Sequence, residues 1–326
     1  MSEALDVKDR RILSTLSLNA RQSLSEIGRK VGLSQEVVNY RLRRLIKKDI
    51  IACFRAEIDF SKLGYKTYRL YIRLEGADSE KEAEIFEYLA NRKGATWVAA
   101  CEGKYNLIFR FIVKDEFELN SILGEIYSKF SKYIRERDLT IPIGWQFYPA
   151  ESGAYEISNR RFKKPVDVGI AKFDERDVEI LNVVGENART SATEIAGKLG
   201  MTPNGVKHRV RRLEREGVIA GYQMVADRTK LGIYHYKILF SFQRINEERV
   251  GRFIRYCEEN PNLVFLVQAI GAWDIDVDLD YANTLEMHNA VLNLSSSFKN
   301  LIRNYETLSI FKSSYSNPLK KEKGGS

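Results

Sequence analysis

Long hydrophobic runs are missing from this sequence. No window approaches the ~18 uninterrupted apolar residues of a membrane-spanning helix. The first residues, MSEALDVKDRR, lack the apolar segment of a secretory signal. Cysteine is scarce as well. The three present, Cys53, Cys101 and Cys257, are odd in number and far apart. That argues against a disulfide framework or a paired-cysteine metal site and fits a reducing, cytoplasmic setting. Only three histidines occur, and Gly-rich phosphate loops and nucleophile–base pairs are absent. Neither a cofactor nor a metal site is expected.

What is present is positive charge, unevenly placed. The net charge is +8 over 326 residues, which suggests a polyanionic partner. Residues 1–60 hold 12 basic and 8 acidic groups, whereas residues 231–318 hold 8 and 10. Short basic tracts lie at Arg160–Lys164 and in the tail, 319–326. They read as a solvated linker and a frayed end, or as auxiliary phosphate contacts.

The sequence also repeats itself. A shift of 168 residues aligns residues 5–76 on the second half without a gap and with 24 identities. Asn19-Ala20-Arg21 falls on Asn187-Ala188-Arg189, and Leu63-Gly64 on Leu231-Gly232. Such a period is too long for a solenoid, so a whole two-domain unit is duplicated. The expected domains are 1–60 and 61–148, a linker at 149–172, then 173–230 and 231–318.

The first domain of each unit reads as three helices. Asp6 and Asp174 cap the first. Ser23-Leu-Ser-Glu26 and Ser191-Ala-Thr-Glu194 are capping boxes that open the second. Gly32-Leu33-Ser34 and Gly200-Met201-Thr202 form the turn before the third, the arrangement of a helix-turn-helix. The third helix buries Val38, Leu42 and Leu45 in copy 1, and Val206, Val210 and Leu213 in copy 2. Its remaining residues suit a DNA major groove, with Arg and Lys on phosphates and Asn, Gln or Arg on base edges. In copy 1 the candidates are Ser34, Gln35, Asn39, Tyr40, Arg41, Arg43, Arg44 and Lys47. In copy 2 they are Thr202, Asn204, Lys207, His208, Arg209, Arg211 and Arg212. An ordinary amphipathic helix with a solvated basic face is the alternative. Recurrence of the whole pattern favours DNA. The reader faces differ, so the two need not read the same half-site.

The second domain changes period. Alternation at Tyr68–Leu74 marks a strand, followed by helix 79–93, strand Thr96–Cys101, strand Leu107–Val113, helix 115–132 and strand Glu136–Ile143. This β-α-β-β-α-β order is ferredoxin-like, and copy 2 repeats it from Ile233 to Phe311. The expected fold is α+β: two winged, three-helix helix-turn-helix domains and two ferredoxin-like domains in tandem.

Taken together, R-x-R-R-L, the hinges Asp59-Phe-Ser-Lys62-Leu63-Gly64 and Asp227-Arg-Thr-Lys230-Leu231-Gly232, and a G-x-[YW]-[ND] turn closely resemble the Lrp/AsnC (feast/famine) family of bacterial and archaeal regulators. The resemblance covers nearly the whole chain, twice, whereas family members usually carry one unit. It implies sequence-specific DNA binding, dimerisation through the ferredoxin-like domains, and often an amino-acid effector near a G-D-Y-D turn. Here that turn is Gly103-Lys104-Tyr105-Asn106 and Gly271-Ala272-Trp273-Asp274. Both lack the first Asp, and copy 1 has Asn for the last. Gly103, Tyr105, Asn106, Gly271, Trp273 and Asp274 are the candidate effector residues. A tight turn that keeps glycine for a positive φ is the other reading.

One strand of copy 2, Asp274-Ile-Asp276-Val-Asp278-Leu-Asp280, puts its carboxylates on one face. The matching face of copy 1 carries Arg69, Arg73 and Arg110. The expectation is that the two sheets meet, within one chain or between two, with arginines opposite Asp274, Asp276 and Asp278. A solvated acidic face or a bound metal ion are the other readings. Two further functions stay open. The scaffold also resembles sirohaem decarboxylases, which need histidines near the turn; His208, His235 and His288 are not there. A sensor-only partner of other regulators is the third class.

Overall fold

The structure is a computed structural model that describes residues 5–148, 162–163 and 169–319. The basic tract at 160–164 and the tail beyond 319 lie largely outside the described residues. No helix among the described residues is long and apolar enough to cross a membrane. The chain divides into two compact units. One holds both helix-turn-helix copies, and the other holds both ferredoxin-like copies.

In the first unit, copy 1 consists of α1 (Val7–Leu18), α2 (Leu24–Val31), α3 (Gln35–Lys47) and strand β1 (Ile51–Ile58). Asp6 and Ser23 cap the first two helices, Ser23 within a complete capping box with Glu26. These satisfied N–H groups start each helix where the sequence predicts. Ile12, Leu13, Leu16, Ile27, Val38 and Leu45 fill the core. Copy 2 repeats the arrangement, after a two-residue strand β6 (Phe162–Lys163), with α6 (Glu175–Glu186), α7 (Ala192–Leu199), α8 (Pro203–Arg215) and β7 (Ile219–Ala226).

The two copies are joined by an antiparallel ribbon of β1 and β7, with Phe54 opposite Met224 and Ala56 opposite Tyr222. The Asn-Ala-Arg segment that recurs in both copies locks it. Ala20 N donates to Tyr222 O at 3.0 Å and Ala188 N to Phe54 O at 2.9 Å. Arg21 reaches Ala188 O, Arg189 reaches Ala20 O, and each guanidinium lies over an aromatic ring of the other copy. The wing expected in each domain is a single strand here, and its pairing is not legible from the sequence, because each strand pairs only with one 161 to 175 residues away.

In the second unit, copy 1 runs β2 (Lys66–Leu74), α4 (Ser79–Ala90), β3 (Ala95–Glu102), β4 (Leu107–Val113), α5 (Glu116–Phe130) and β5 (Ile134–Phe147). Copy 2 runs β8 (Tyr234–Phe242), α9 (Glu247–Glu258), β9 (Leu263–Gly271), β10 (Ile275–Tyr281), α10 (Thr284–Ser297) and β11 (Ile302–Tyr315). One face of the copy 1 sheet, with Tyr68, Leu70, Ile72, Phe109 and Phe111, packs on the helices as an apolar core. Each such buried side chain contributes on the order of 2 kcal/mol by its burial.

The sheets of the two copies are continuous. Strands follow one another as β2-β4-β3-β11-β8-β10-β9-β5, and β2 pairs with β5, which closes the ring. Closure depends on the long last strands. The Ile134–Thr140 stretch of β5 pairs with β2, and its Thr140–Phe147 stretch with β9 of the other copy. β11 does the same with β8 and β3. β5 therefore extends past Ile143, where the sequence pattern ends it, because its second half is held by the other copy.

Candidate nucleic-acid interface

Each reader helix begins on a hydroxyl cap. Ser34 Oγ accepts from Val37 N at 3.3 Å, and Thr202 Oγ1 from Gly205 N at 3.1 Å. Both side chains are thus engaged in capping, at helix N-termini whose remaining N–H groups suit a phosphate.

The arginines divide into two sets. Arg41 Nη1 donates to Asp6 (2.7 Å) and Asp9 (2.9 Å), and Arg44 binds Asp9 as well. Arg209 binds Asp174 (2.8 Å) and Asp177 (2.9 Å), and Arg212 binds Asp177. Asp9 and Asp177 are buried. All four arginines, expected as DNA contacts, tie the reader helix to the start of the first helix in their own domain. They position the reader. The Arg209 hydrogen bond holds the Asp174 carboxyl below the usual carboxylate range. At Asp6 burial opposes ionisation, but the hydrogen bonds from Arg41 and the backbone N–H groups, together with the charge of Arg41, outweigh it and lower the carboxyl's pKa.

The second set faces outward. Gln35, Tyr40, Arg43 and Lys47 are exposed in copy 1, with Asn39 half-buried. Asn204, Lys207, His208 and Arg211 are exposed in copy 2. Tyr40, at 67% exposure, has no core to fill. Replacing Lys47 or Arg211 by Ala is expected to weaken duplex binding across sequences and to reduce the salt slope by about 1. Arg44→Ala should instead lower thermal stability. Anisotropy over a salt series and calorimetry separate the two classes, and an unchanged slope in both Lys47→Ala and Arg211→Ala would remove them from the interface.

The turns of the ferredoxin-like domains are also engaged. Asn106 Oδ1 accepts from Leu74 N at 2.8 Å, and Asp274 Oδ2 from Phe242 N at 2.7 Å. Tyr105 is buried with its hydroxyl donating to Asp138. Trp273 is buried edge-on against Tyr71 of the other copy, with ring centroids 4.3 Å apart. Gly103 and Gly271 have φ of +133° and +138° and stand against β11 and β5 of the opposite copy.

The acid-bearing face of β10 is buried, not solvated. Arg69 Nη1 donates to Asp276 Oδ2 at 2.6 Å across the copies. Lys237 Nζ lies 2.8 Å from Asp276 and 2.5 Å from Asp278, and His235 Nδ1 lies 2.6 Å from Asp280. Arg110 is engaged elsewhere, its Nε donating to Thr96 Oγ1, and Arg73 is half-buried near the end of β2. Among the described residues no group of His, Cys, Asp or Glu is arranged to hold a metal ion. Burial raises the cost of ionising Asp276, but Arg69 and Lys237 outweigh it and hold the carboxyl below its usual range. A group with a depressed folded pKa stabilises fully above its unfolded value, about 3.9, and loses that contribution as pH falls through the folded value. The melting temperature is therefore expected to change little from pH 7 to 5 and to fall below about pH 4. Calorimetry that shows a rise on acidification would contradict this.

Two capped reader helices with basic outward faces, joined in one unit, define a helix-turn-helix protein built for duplex DNA. A family model described as winged helix-turn-helix DNA-binding matches residues 5–52 and 173–220. The HTH-type transcriptional regulator Ptr1 of Methanocaldococcus jannaschii is 34% identical over 124 residues, which cover 37% of this chain and 80% of that protein. The HTH-type transcriptional regulator LrpA of Pyrococcus horikoshii is 48% identical over 60 residues, 18% of this chain and 43% of that protein. Among solved structures, the sirohaem decarboxylase NirDL matches 94% of this chain and 91% of its own, with a TM-score of 0.62 at 12% identity, a likeness of fold alone. The chain belongs to the Lrp/AsnC family of helix-turn-helix transcriptional regulators, with two units in tandem. It is a DNA-binding regulator.

Proposed function

We propose that one chain acts as a non-enzymatic, cytoplasmic regulator that reads a composite operator of two unlike half-sites. The observation that carries this is the pairing of two different reader faces in one unit. Gln35, Asn39, Tyr40 and Arg43 stand on α3, and Asn204, Lys207, His208 and Arg211 on α8, and the β1–β7 ribbon joins their domains. Two identical readers related by a two-fold axis would read a palindrome. Here the two readers are chemically distinct, so the preferred site is asymmetric.

Binding-site selection from random duplex DNA tests this. The expected product has two different half-sites. Gln35→Ala with Asn39→Ala should relax one, and Asn204→Ala with Lys207→Ala the other. Removing a side chain that pairs bidentately with a base costs about 1–3 kcal/mol of discrimination. Recovery of a palindrome, or no binding at low salt, would overturn the proposal.

The whole-chain likeness to NirDL makes a decarboxylase the competing reading. Against it, His235 is buried on Asp280, His208 stands on α8 and His288 is exposed on α10. None lies in either turn. An absorbance scan with added tetrapyrrole separates the readings, since a shifted absorption band would favour the enzyme. Asn106 and Asp274 are engaged by backbone N–H groups of their own copies, and Trp273 packs on Tyr71 of the other copy, which supports a structural role for the turns over an amino-acid effector site.

A further inference from the structure

We infer that the barrel closes only between unlike copies: the sheet face of copy 2 accepts the sheet face of copy 1 and rejects one of its own kind. The argument is a balance of buried charge. The shift of 168 residues that relates the copies places Lys237 on Arg69, Asp276 on Ile108 and Asp278 on Arg110. Copy 1 thus brings cations to the barrel interior from β2 and β4, neither of which carries an acid. Its acids on that face, Glu136 and Asp138, stand on β5 opposite Arg73 and Tyr71, away from Arg69's register position, and Asp138 accepts from the Tyr105 hydroxyl. Copy 2 brings the three aspartates of β10 together with Lys237 and His235 of β8.

In the pairing observed, Arg69 and Lys237 face Asp276 and Asp278, and the opposite charges match. Arg69, Lys237, Asp276 and Asp278 are 7%, 1%, 0% and 6% exposed, so an excess of either sign has little access to water. A barrel of two copy 1 faces would set Arg69 against its own duplicate with no carboxylate from β2 or β4. A barrel of two copy 2 faces would bring duplicate sets of Asp276, Asp278 and Asp280 against duplicates of Lys237 and His235 alone. Uncompensated buried charge disfavours both. The packing around the ion pairs is also cross-copy: Trp273 packs on Tyr71, and Lys237 lies 6.0 Å from the Trp97 ring centroid. A chain from outside would have to supply a cation at the place of Arg69, so the pairing belongs to this chain and is not a general dimer face.

Charge reversal in the full-length chain tests the inference. Arg69→Asp sets two acids together, and Asp276→Lys sets a lysine beside Lys237 and Arg69. Each single variant is expected to melt at least about 10 °C below the parent. The double variant, Arg69→Asp with Asp276→Lys, restores one opposite pair across the copies and should regain most of that loss with the parent's mass by light scattering. The result holds even where a single variant fails to fold, because the double variant is then the measurement. A double variant no better than the worse single one would overturn the inference. So would parental stability in both singles, or a stable dimer formed by either single variant through its intact like copies.

Discussion

Lys237→Met is expected to lower the melting temperature of the ferredoxin-like unit by about 10 °C. Lys237 is 1% exposed and lies within ion-pair distance of Asp276 and Asp278. Methionine keeps the bulk of the side chain and removes the charge. Asp276 then keeps Arg69, whereas Asp278 loses its ammonium partner and retains His235, whose Nε2 lies 3.9 Å away while its Nδ1 is engaged by Asp280. Breaking a buried ion pair from one side costs about 3–5 kcal/mol, because the charge left behind is neither hydrated nor paired. For a unit of this size each kcal/mol corresponds to about 2–4 °C. The pH dependence gives the variant a signature of its own. In the parent, acid removes stability because Asp276 titrates below its usual range. In Lys237→Met, protonating one carboxylate relieves the excess negative charge. The gap between parent and variant should therefore narrow from pH 7 to pH 4. A gap that widens, or a loss under about 3 °C at pH 7, would mean that Lys237 is not compensating these aspartates.

The sequence makes local features legible and leaves the non-local ones hidden. Caps, turns and the helical stripe of Val38, Leu42 and Leu45 are short-range signals, and the structure repeats them residue for residue. The acidic alternation of β10 is also readable, and with it the need for a compensating face. Its answer, Arg69 on Asp276, lies 207 residues away and no spacing rule selects it over Arg73 or Arg110. The same limit conceals the β1–β7 ribbon and the second half of β5. The reader helices show a subtler failure. Arg41 and Arg43 differ by two positions on a basic helix, and composition treats them alike. Only the fold places Asp6 and Asp9 under Arg41 and leaves Arg43 in water. The signal available was the repeat itself: Asp9 and Asp177 are retained together with Arg41, Arg44, Arg209 and Arg212, as a clamp would require. Asn-Ala-Arg is retained in the same way, and it joins the two copies.

Gly271→Ala is the second substitution with a large expected effect, and it decides what the turn is for. A Cβ at Gly271 would stand 2.5 Å from Leu139 O and 3.2 Å from Thr140 Cα, both backbone atoms of the opposite copy. Gly103 meets Thr307 O at 2.6 Å in the reciprocal place. Backbone cannot rotate away from the added methyl, so β5 must shift and with it the junction that closes the ring. The φ of +138° adds strain for any L side chain. Strain of about 1–3 kcal/mol and overpacking of about 1–3 kcal/mol together predict a loss of about 4 kcal/mol. Gly76 supplies the control. Its φ is +70°, and nothing lies within 4 Å of an added Cβ, so Gly76→Ala should cost about 1–2 kcal/mol from conformation alone. If the two variants lose equal stability in thermal melts, glycine is kept in the turn for its backbone angle only. A markedly larger loss at Gly271 means that the turn interlocks the two copies, and that a residue expected to cradle an effector serves the closure of the barrel.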